Sequence, residues 1–403
     1  MLDAALLAIL AVDYILTPCS GEIEVERQVD EKLSLGISNP VVLKIRNRGN
    51  FAARLRVRDE PTYAFDSRGN STNFVDLPRL GSIEHHYVVI PPKRGDFSFG
   101  DIYVRRIGLF RMLVRQYKIP AAQDVKVYPD LTLIRKHVTL RQGRILEGRP
   151  RRIFGRGTEF ESLRDYHPDD EYRNIDWKAT ARRNKLTSRE YQVERSQNVM
   201  IMLDVGRTMG IATDEAMTRL DYGVNAAAAI AFAAANAGDQ VGLMIFSGEV
   251  EMFIPPRKGH SQAMAILQAL YSVRTTTVES DYSAAFLHLS HRWRKRSLIV
   301  LLTDLIDPDS SRSVITHLAG LARSHLPICL AIGDADVVAT AQVVPMKVKD
   351  AYRKAVARQV IYERRRAIAE LEQAGVIVVD TDGPSAAGHA VETYSDIKAR
   401  GRL

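Results

Sequence analysis

Cysteine is scarce in this chain, whose 403 residues include only Cys19 and Cys329. The two lie far apart and neither belongs to a Cys-x-x-Cys pair, which excludes a disulfide framework and a metal site of that pattern. Cys329 sits in the apolar run PICLAIG and is expected to be a buried strand residue. Such cysteine usage fits a reducing compartment.

Motifs of the common enzyme classes are also missing. The sequence has no GxxxxGK[ST] phosphate-binding loop, no HExxH zinc motif and no GxSxG nucleophile elbow. His85 and His86 are neighbours in a predicted strand, where adjacent side chains face opposite ways, so they do not chelate one ion together. Because nothing nominates a catalytic residue, we expect a protein that is not an enzyme.

The apolar run at the N-terminus is too short to span a bilayer. A spanning helix needs about 20 apolar residues, whereas residues 4–16 form a shorter run that contains Asp13. The run also lacks the basic residues that begin a signal peptide. Residues 1–19 are therefore predicted to form a short apolar helix, either on the surface or as the remnant of a membrane anchor that lies mostly outside this sequence.

The excess of positive charge is small, since 56 Lys and Arg residues against 48 Asp and Glu residues give a net charge of +8. The basic residues are scattered among acidic ones without a dominant basic run, which does not favour a nucleic-acid-binding protein. The composition is typical of a cytoplasmic protein close to an anionic membrane surface.

The chain does contain a change of pattern near its middle, and its length predicts two or three domains. Residues 20–132 hold short segments of alternating apolar and polar residues separated by turn signals, which predicts an antiparallel β-sandwich. Residues 133–195 comprise a basic connection and a charged, aromatic-rich signature segment. Residues 196–390 alternate apolar strands with helices, which predicts an α/β domain with a mostly parallel sheet, and residues 391–403 are expected to be a tail.

Oxygen-bearing side chains stand near the ends of these predicted strands. Asp204 and Asp304 directly follow apolar runs, while Thr208 lies in DVGRTMG and Ser280 in SDYSAAF. Ligands of open α/β sheets bind outside the carboxyl ends of the strands. The spacing Asp-x-Gly-x-Thr, with the Ser-Asp and Thr-Asp pairs of the later loops, resembles the metal-binding loops of von Willebrand factor A domains.

That resemblance implies Mg²⁺ or another hard cation held by Asp204, Thr208, Ser280 and Asp304. Gly206 takes the place of the first hydroxyl of the family's Asp-x-Ser-x-Ser loop, so one ligand is missing. The alternative, which the sequence leaves open, is that Asp204 and Thr208 only cap a helix and satisfy loop amides.

Residues 154–186, which we call the signature segment, carry a second resemblance. The sequence GRGTEFESLRDYHPDDEYRNIDWKATAR is similar to the pattern G-x-G-x-E-F-x-x-L-R-x-Y-x-x-G-D-x-x-R-x-I-D-W-x-A-x-A-R of the bacterial domain-of-unknown-function family 58, a von Willebrand A-like family. The matching residues are Glu159, Phe160, Leu163, Arg164, Tyr166, Asp170, Arg173, Ile175, Asp176, Trp177 and Arg182. Asp169 replaces a glycine of the pattern.

Mixed charge and bulky aromatic residues predict that the signature segment fixes the two domains to each other. We expect a helix over residues 170–183, with Trp177 packed against it. The expected ion pairs, which we call the clasp, join the arginines Arg164, Arg173 and Arg182 to the carboxylates Glu159, Asp170 and Asp176. Should Trp177 be exposed and the arginines unpaired, the segment becomes a candidate partner-binding surface instead.

The family resemblance also implies a function. Members are typically encoded beside a MoxR-type AAA+ ATPase and usually begin with two membrane-spanning helices. The expected protein is a chaperone-like adaptor that acts with such an ATPase on a protein client, in the cytoplasm and attached to the inner membrane. Two alternatives remain: a metal-dependent adhesion module that works without an ATPase, and a metal-assisted hydrolase built on Asp204 and Asp304.

Overall fold

The computed structural model describes residues 2–15, 17, 21–108, 110–129, 159–167, 172, 175–192, 196–213, 217–305 and 308–401. Its N-terminal elements are helix α1 (Leu2–Ile15) and strands β1 (Ile23–Gln28), β2 (Lys32–Ser34), β3 (Asn39–Asn47), β4 (Ala53–Asp59), β5 (Asp66–Arg68), β6 (Val75–Leu77), β7 (Ser82–Ile90), β8 (Gly95–Phe99), β9 (Ile102–Ile107), β10 (Val114–Ile119) and β11 (Gln123–Tyr128).

These eleven strands form an N-terminal β-rich region that is mostly antiparallel, as the alternating pattern predicts. Two four-stranded sheets have the orders β1-β3-β7-β5 and β10-β9-β4-β6, and a three-stranded sheet has the order β2-β11-β8. Strand β4 shows why the pattern works, because Leu55 and Val57 are buried while Arg56 and Arg58 between and beyond them are exposed. The pairing of β2 with β11 is parallel, which the sequence pattern does not predict.

Helix α1 is attached to the β-rich region by a buried carboxylate. Asp13 is fully buried and accepts hydrogen bonds from the backbone N–H groups of Phe110 at 2.9 Å and Met112 at 3.3 Å. Arg115 adds a hydrogen bond from Nη1 to the carbonyl of Thr17 at 2.6 Å. Asp13 therefore holds the turn between β9 and β10. Within the described part of the chain, every helix is too short or too polar to cross a membrane.

The C-terminal region is α/β. Its elements are strands β12 (Glu159–Asp165), β13 (Thr187–Gln192), β14 (Asn198–Asp204), β15 (Gln240–Phe246), β16 (Val250–Lys258), β17 (Leu298–Thr303), β18 (Leu326–Ile332) and β19 (Ile377–Thr381), and helices α2 (Trp177–Arg183), α3 (Arg219–Asn236), α4 (His260–Tyr271), α5 (Tyr282–Arg292), α6 (Pro308–Leu321), α7 (Ala335–Gln342), α8 (Val348–Gln373) and α9 (Ala386–Arg400). A 3₁₀ turn (Arg207–Gly210) follows β14.

A six-stranded sheet with the order β16-β15-β14-β17-β18-β19 forms the centre of this region. Only the edge strand β16 is antiparallel to its neighbour among these described strands. Helices cover both faces, so successive β14 residues enter different core layers: Ile201 belongs to one buried cluster and Met202 to the other. This double burial explains why β14 reads as an almost continuous apolar run.

The order of strands reverses between β14 and β17, which are adjacent in the sheet although two strands and three helices separate them in sequence. Such a reversal opens a crevice at the carboxyl ends of the strands. Asp204 is the last residue of β14, and Asp304 follows the last residue of β17. The predicted acidic residues therefore lie at the switch point of the sheet.

The β-rich and α/β regions contact each other directly through Arg94. Its Nε donates to Asp221 Oδ1 at 3.0 Å, and its Nη1 and Nη2 donate to the carbonyls of Leu270 at 2.7 Å and Val273 at 3.1 Å. The Arg94 side chain is 7% exposed. Tyr271 completes the contact, since its hydroxyl donates to an Asp96 carboxylate oxygen at 2.7 Å.

The signature segment and the strand that follows it form a small two-stranded sheet with a short helix. Strands β12 and β13 make a two-stranded sheet, and α2 begins only at Trp177, after Asp176, whose carboxylate caps the helix by accepting from the N–H groups of Lys178 and Ala179. The helix predicted over residues 170–183 is thus observed from Trp177, with residues 168–171 and 173–174 outside the described residues.

The predicted packing of Trp177 is wrong, because its side chain is 67% exposed. Tyr172 is also exposed, whereas Ile175 is buried. A two-stranded sheet and a seven-residue helix offer too little surface to cover an indole as well. Among the described residues, Arg94 and the Tyr271–Asp96 pair join the two regions.

The predicted clasp receives no support from the residues that can be compared. Asp170 and Arg173 lie outside the described residues, as do the side chains of Glu159, Phe160 and Arg164. Arg182 is exposed, and the Asp176 carboxylate caps α2. Leu163 and Tyr166 are half-buried.

The last helix, α9, continues through the domain boundary predicted at residue 390. Tyr394 is 1% exposed, and its hydroxyl donates to Asp239 Oδ2. Residues of the expected tail are therefore part of the α/β core, because the apolar face of α9 packs on α3.

Candidate functional site at the switch point of the sheet

Asp204 lies at the centre of the candidate site and is fully buried. One carboxylate oxygen accepts from the N–H of Gly206 at 2.9 Å and from the Ser280 hydroxyl. The other accepts from the hydroxyls of Tyr282 and Thr303, each at 2.7 Å. The Tyr282 and Thr303 hydroxyls also lie 2.8 Å from each other, and each carries a single proton, so these two side chains and the Asp204 carboxylate share one hydrogen-bond network.

Asp304 is the second buried carboxylate, and it is 5% exposed. Its Oδ1 accepts from the Thr208 hydroxyl at 3.1 Å, and its Oδ2 lies 3.4 Å from Nη1 of Arg219. The four residues nominated from the sequence thus meet as two pairs, Asp204 with Ser280 and Asp304 with Thr208. In each pair the hydroxyl donates to the carboxylate.

Arg219 is the residue that sequence reasoning missed. It is the first residue of α3, is 2% exposed and is the largest fully buried side chain among the described residues. Its Nη2 donates to Asp334 Oδ2 at 3.1 Å, and its Nη1 also donates to the carbonyl of Thr208 at 3.1 Å. A signal was available, because a cation in the first turn of a helix opposes the helix dipole and needs a nearby anion.

The charges of the site do not balance. Arg219 contacts two carboxylates, Asp304 and Asp334. The buried carboxylate of Asp204 lies close enough to act on Asp304. Burial raises the pKa of Asp304 to about 6; Arg219 opposes this shift, whereas the charge of Asp204 adds to it. Burial and the neighbouring Asp204 carboxylate also raise the pKa of the Tyr282 hydroxyl, which therefore stays protonated as a donor.

Gly206 occupies its position for a steric reason. A Cβ atom built there would lie 2.1 Å from Ser280 Oγ, far inside van der Waals contact. Ser280 therefore fills the space that a serine side chain at position 206, as in the Asp-x-Ser-x-Ser loop of von Willebrand factor A domains, would need. The backbone of Gly206 is ordinary, with φ of −65°, so only the close approach requires glycine.

The residues of this site do not fit a divalent cation as they are arranged. A hard cation needs oxygen lone pairs directed at it. Here the hydroxyls of Ser280 and Thr208 point their protons at the carboxylates, and Arg219 lies against Asp304. Among the described residues no group of three or more His, Cys, Asp or Glu side chains is placed to hold a metal.

Cys329 offers no reactive thiol. It is fully buried in β18, as its apolar surroundings predict, and burial raises the pKa of the thiol to about 12.

Comparisons with known proteins identify relatives of this fold. The chain is 27% identical over 158 residues to "Uncharacterized protein Rv1480" of Mycobacterium tuberculosis, which covers 39% of this chain and 50% of that protein. It is 40% identical over 43 residues to "Uncharacterized protein YeaD" of Bacillus subtilis, which covers 11% of each. The chain thus spans about half the length of the mycobacterial relatives that it matches.

Two solved structures are each similar to about a quarter of the chain. Alpha-2-macroglobulin from Escherichia coli, from domain MG7 to its C-terminus, matches 27% of this chain and 16% of that one at 19% identity and a TM-score of 0.22. The CARDB domain of PF1109 from Pyrococcus furiosus matches 26% of this chain and 94% of that one at 15% identity and a TM-score of 0.19.

The model of the family described as "Protein of unknown function DUF58" matches residues 162–380, more than half of this chain. That range begins in β12 of the signature segment and extends through the sheet and the switch-point site to β19. The chain therefore belongs to the DUF58 family.

Proposed function

We propose that this protein is a non-enzymatic, chaperone-like adaptor whose α/β region is von Willebrand A-like and binds other proteins. Its expected partners are a MoxR-type AAA+ ATPase and a protein client that the two assemble or mature together. Its expected place is the cytoplasmic side of the inner membrane. Exposed apolar side chains of α1, such as Leu7 and Ile15, support a neighbouring lipid or protein surface.

The form of the sheet supports the A-like part of the proposal. A single antiparallel edge strand, β16, precedes five parallel strands, and two carboxylates lie at the switch point between β14 and β17. The buried hydrogen-bond network around Asp204 supports a non-enzymatic role, because a general base or nucleophile needs a lone pair that faces the reacting group.

The observation that carries a protein-binding function is the exposure of the signature segment. Tyr172 is 79% exposed, Trp177 is 67% exposed and Leu186 is 48% exposed. Tryptophan and tyrosine dominate the binding energy of protein interfaces, and large exposed apolar side chains mark such interfaces. Because Trp177 is exposed and not packed as predicted, the signature segment presents a surface that a partner can contact.

Co-purification of the full chain with its MoxR-type ATPase tests the proposal. We expect the wild type to retain the ATPase, and Trp177→Ala to weaken binding by at least about 30-fold, which corresponds to about 2 kcal/mol. Tyr63→Ala is the matched control, because Tyr63 is a fully exposed aromatic residue of the β-rich region.

Both variants are expected to keep the wild-type unfolding midpoint in urea, since each removes an exposed side chain. Recovery of no ATPase, with or without Mg²⁺ and nucleotide, would contradict the proposed partner. An equal loss of binding in Tyr63→Ala would show that the signature segment is not the specific surface.

A further inference from the structure

We propose that Arg219 is a built-in cation that does the work a divalent metal would do at the switch point, so that the acidic strand ends are held together without any metal ion. The inference concerns the organisation of the site and stands whether or not the chain acts as an adaptor. It also names the residue that keeps this edge of the sheet in a single metal-independent state.

The guanidinium connects three separate parts of the chain. It reaches the 3₁₀ turn after β14 through the carbonyl of Thr208 at 3.1 Å, the end of β17 through Asp304 at 3.4 Å and the loop after β18 through Asp334 at 3.1 Å. A metal ion at strand ends does the same two things, since it neutralises carboxylates and cross-links the loops that carry them. Arg219 does both with covalently attached charge.

Because Arg219 is buried, the folded protein requires its ion pairs with the acidic residues. Arg219 is 2% exposed, and a buried guanidinium is tolerated only where anions and acceptors compensate it. Its position at the start of α3 adds a further cost, because the N-terminus of a helix repels a cation. The acidic cluster is therefore the reason that an arginine can occupy this position.

A divalent ion has no place while Arg219 is present. Its positive charge would lie against the guanidinium in a poorly solvated site, where like charges repel strongly. The ion would also have to displace the hydroxyl of Thr208 from Asp304 and that of Ser280 from Asp204. Removal of the guanidinium reverses this balance, because Asp304 and Asp334 then lose the cation that contacts both of them.

The test is whether loss of Arg219 creates a metal site. Mn²⁺ and Mg²⁺ are titrated into the full chain, with binding followed by calorimetry and the thermal unfolding midpoint compared in EDTA. We expect wild type to show no saturable binding and no change of midpoint. Arg219→Ala is expected to have a lower midpoint in EDTA, a midpoint raised by millimolar Mn²⁺ or Mg²⁺, and saturable Mn²⁺ binding that wild type lacks.

Arg27→Ala is the matched control. The Arg27 side chain is equally buried, but it lies in the β-rich region and pairs with one carboxylate, Asp59. Its loss should destabilise the protein without any response to metal. Arg219→Ala/Asp304→Asn should lose the metal response of the single variant, which locates the ion at this site.

Saturable one-to-one binding of Mn²⁺ or Mg²⁺ to wild type would overturn the proposal, as would an Arg219→Ala variant that binds Mn²⁺ no better than wild type. If Arg219→Ala does not fold in EDTA, Arg219→Lys keeps the experiment decisive. Lysine retains the charge, so that variant should fold and ignore metal, and metal rescue of Arg219→Lys would count against a built-in cation.

Discussion

Each region of the molecule contains a buried centre formed by an arginine–aspartate pair, and the two centres differ in geometry and in charge balance. In the β-rich region, Arg27 pairs with Asp59, and their side chains are 2% and 0% exposed. In the α/β region, Arg219 pairs with Asp304 at 2% and 5% exposure. Burial is equal, so the difference between the centres lies in geometry and charge balance.

The β-rich centre is complete. Arg27 binds both carboxylate oxygens of Asp59, and its remaining donors reach the carbonyls of Gly100 at 2.8 Å and Ala121 at 2.6 Å. The Tyr87 hydroxyl also donates to Asp59. One positive charge meets one negative charge in a bidentate pair, which is the strongest form of this interaction. Such a centre can hold strands together but has nothing left to offer a ligand.

The α/β centre is incomplete. Arg219 touches Asp304 and Asp334 at single points, and its buried Nε has no hydrogen-bond partner among the described residues. Asp204 adds a further buried negative charge nearby, and the pKa of Asp304 rises to about 6. Burial alone therefore does not mark a site. The unbalanced charge at a sheet's switch point distinguishes this centre from a structural ion pair.

Breaking the complete centre is expected to have the largest effect. Arg27→Met leaves Asp59 as an uncompensated buried charge, so the free energy of unfolding should fall by about 3–5 kcal/mol, measured by urea denaturation. Arg27→Met/Asp59→Leu removes both charges and should lose less than the sum of the two single variants. Strict additivity would mean that the pair does not act as a unit.

The α/β centre should make the free energy of unfolding depend on pH through Asp304. The folded state keeps a proton on Asp304 up to about pH 6, whereas an unfolded aspartic acid loses it near its ordinary pKa of 3.8. The folded state thus binds more protons between these values, and stability falls as pH rises through that window, by up to about 3 kcal/mol. Asp304→Asn should lack this loss.

The measurement for Asp304 is the difference in the free energy of unfolding between wild type and Asp304→Asn at pH 4, 5, 6 and 7. Taking the difference removes the titration of all other carboxylates that the two proteins share. A difference that does not vary with pH would show that Asp304 is as easily ionised as an exposed carboxylate.

The smallest effect is expected from placing a hydroxyl at position 206, where the loop of von Willebrand factor A domains carries one. Gly206→Ser puts a Cβ atom 2.1 Å from Ser280 Oγ, so we expect a loss of about 1–3 kcal/mol in the free energy of unfolding. Gly206→Ser/Ser280→Ala removes the opposing oxygen and should recover part of the loss. A single variant as stable as wild type would show that Ser280 moves away at little cost.

Local patterns predicted much of the fold. The alternation in β4 indicates a strand that is buried on one face, and the apolar run of β14 indicates a strand that is buried on both. Each pattern is informative because a buried face of a strand requires apolar side chains. The same reasoning placed Asp204 and Asp304 at strand ends. The parallel pairing of β2 with β11 escaped prediction, since it depends on a partner far away in sequence.

The signature segment shows where pattern reasoning fails. Its residue types are distinctive, yet they do not say whether Trp177 faces a core or solvent. Large aromatic residues suit both a packed core and a binding surface. The exposure of Trp177 follows from the small size of the unit formed by β12, β13 and α2, which only the assembled structure reveals.

Residue order alone established the β-rich and α/β halves, the membership of residues 162–380 in a family and the oxygen-bearing residues of the switch point. Only the tertiary structure shows that Arg219 is the cation that pairs with the acidic residues of the switch point. Arg219 lies 85 residues before Asp304 and 115 before Asp334, and no local pattern connects them. Folding brings the three together because the strand order reverses beside β14, and the low polarity of that buried edge requires that its negative charge meet a positive one.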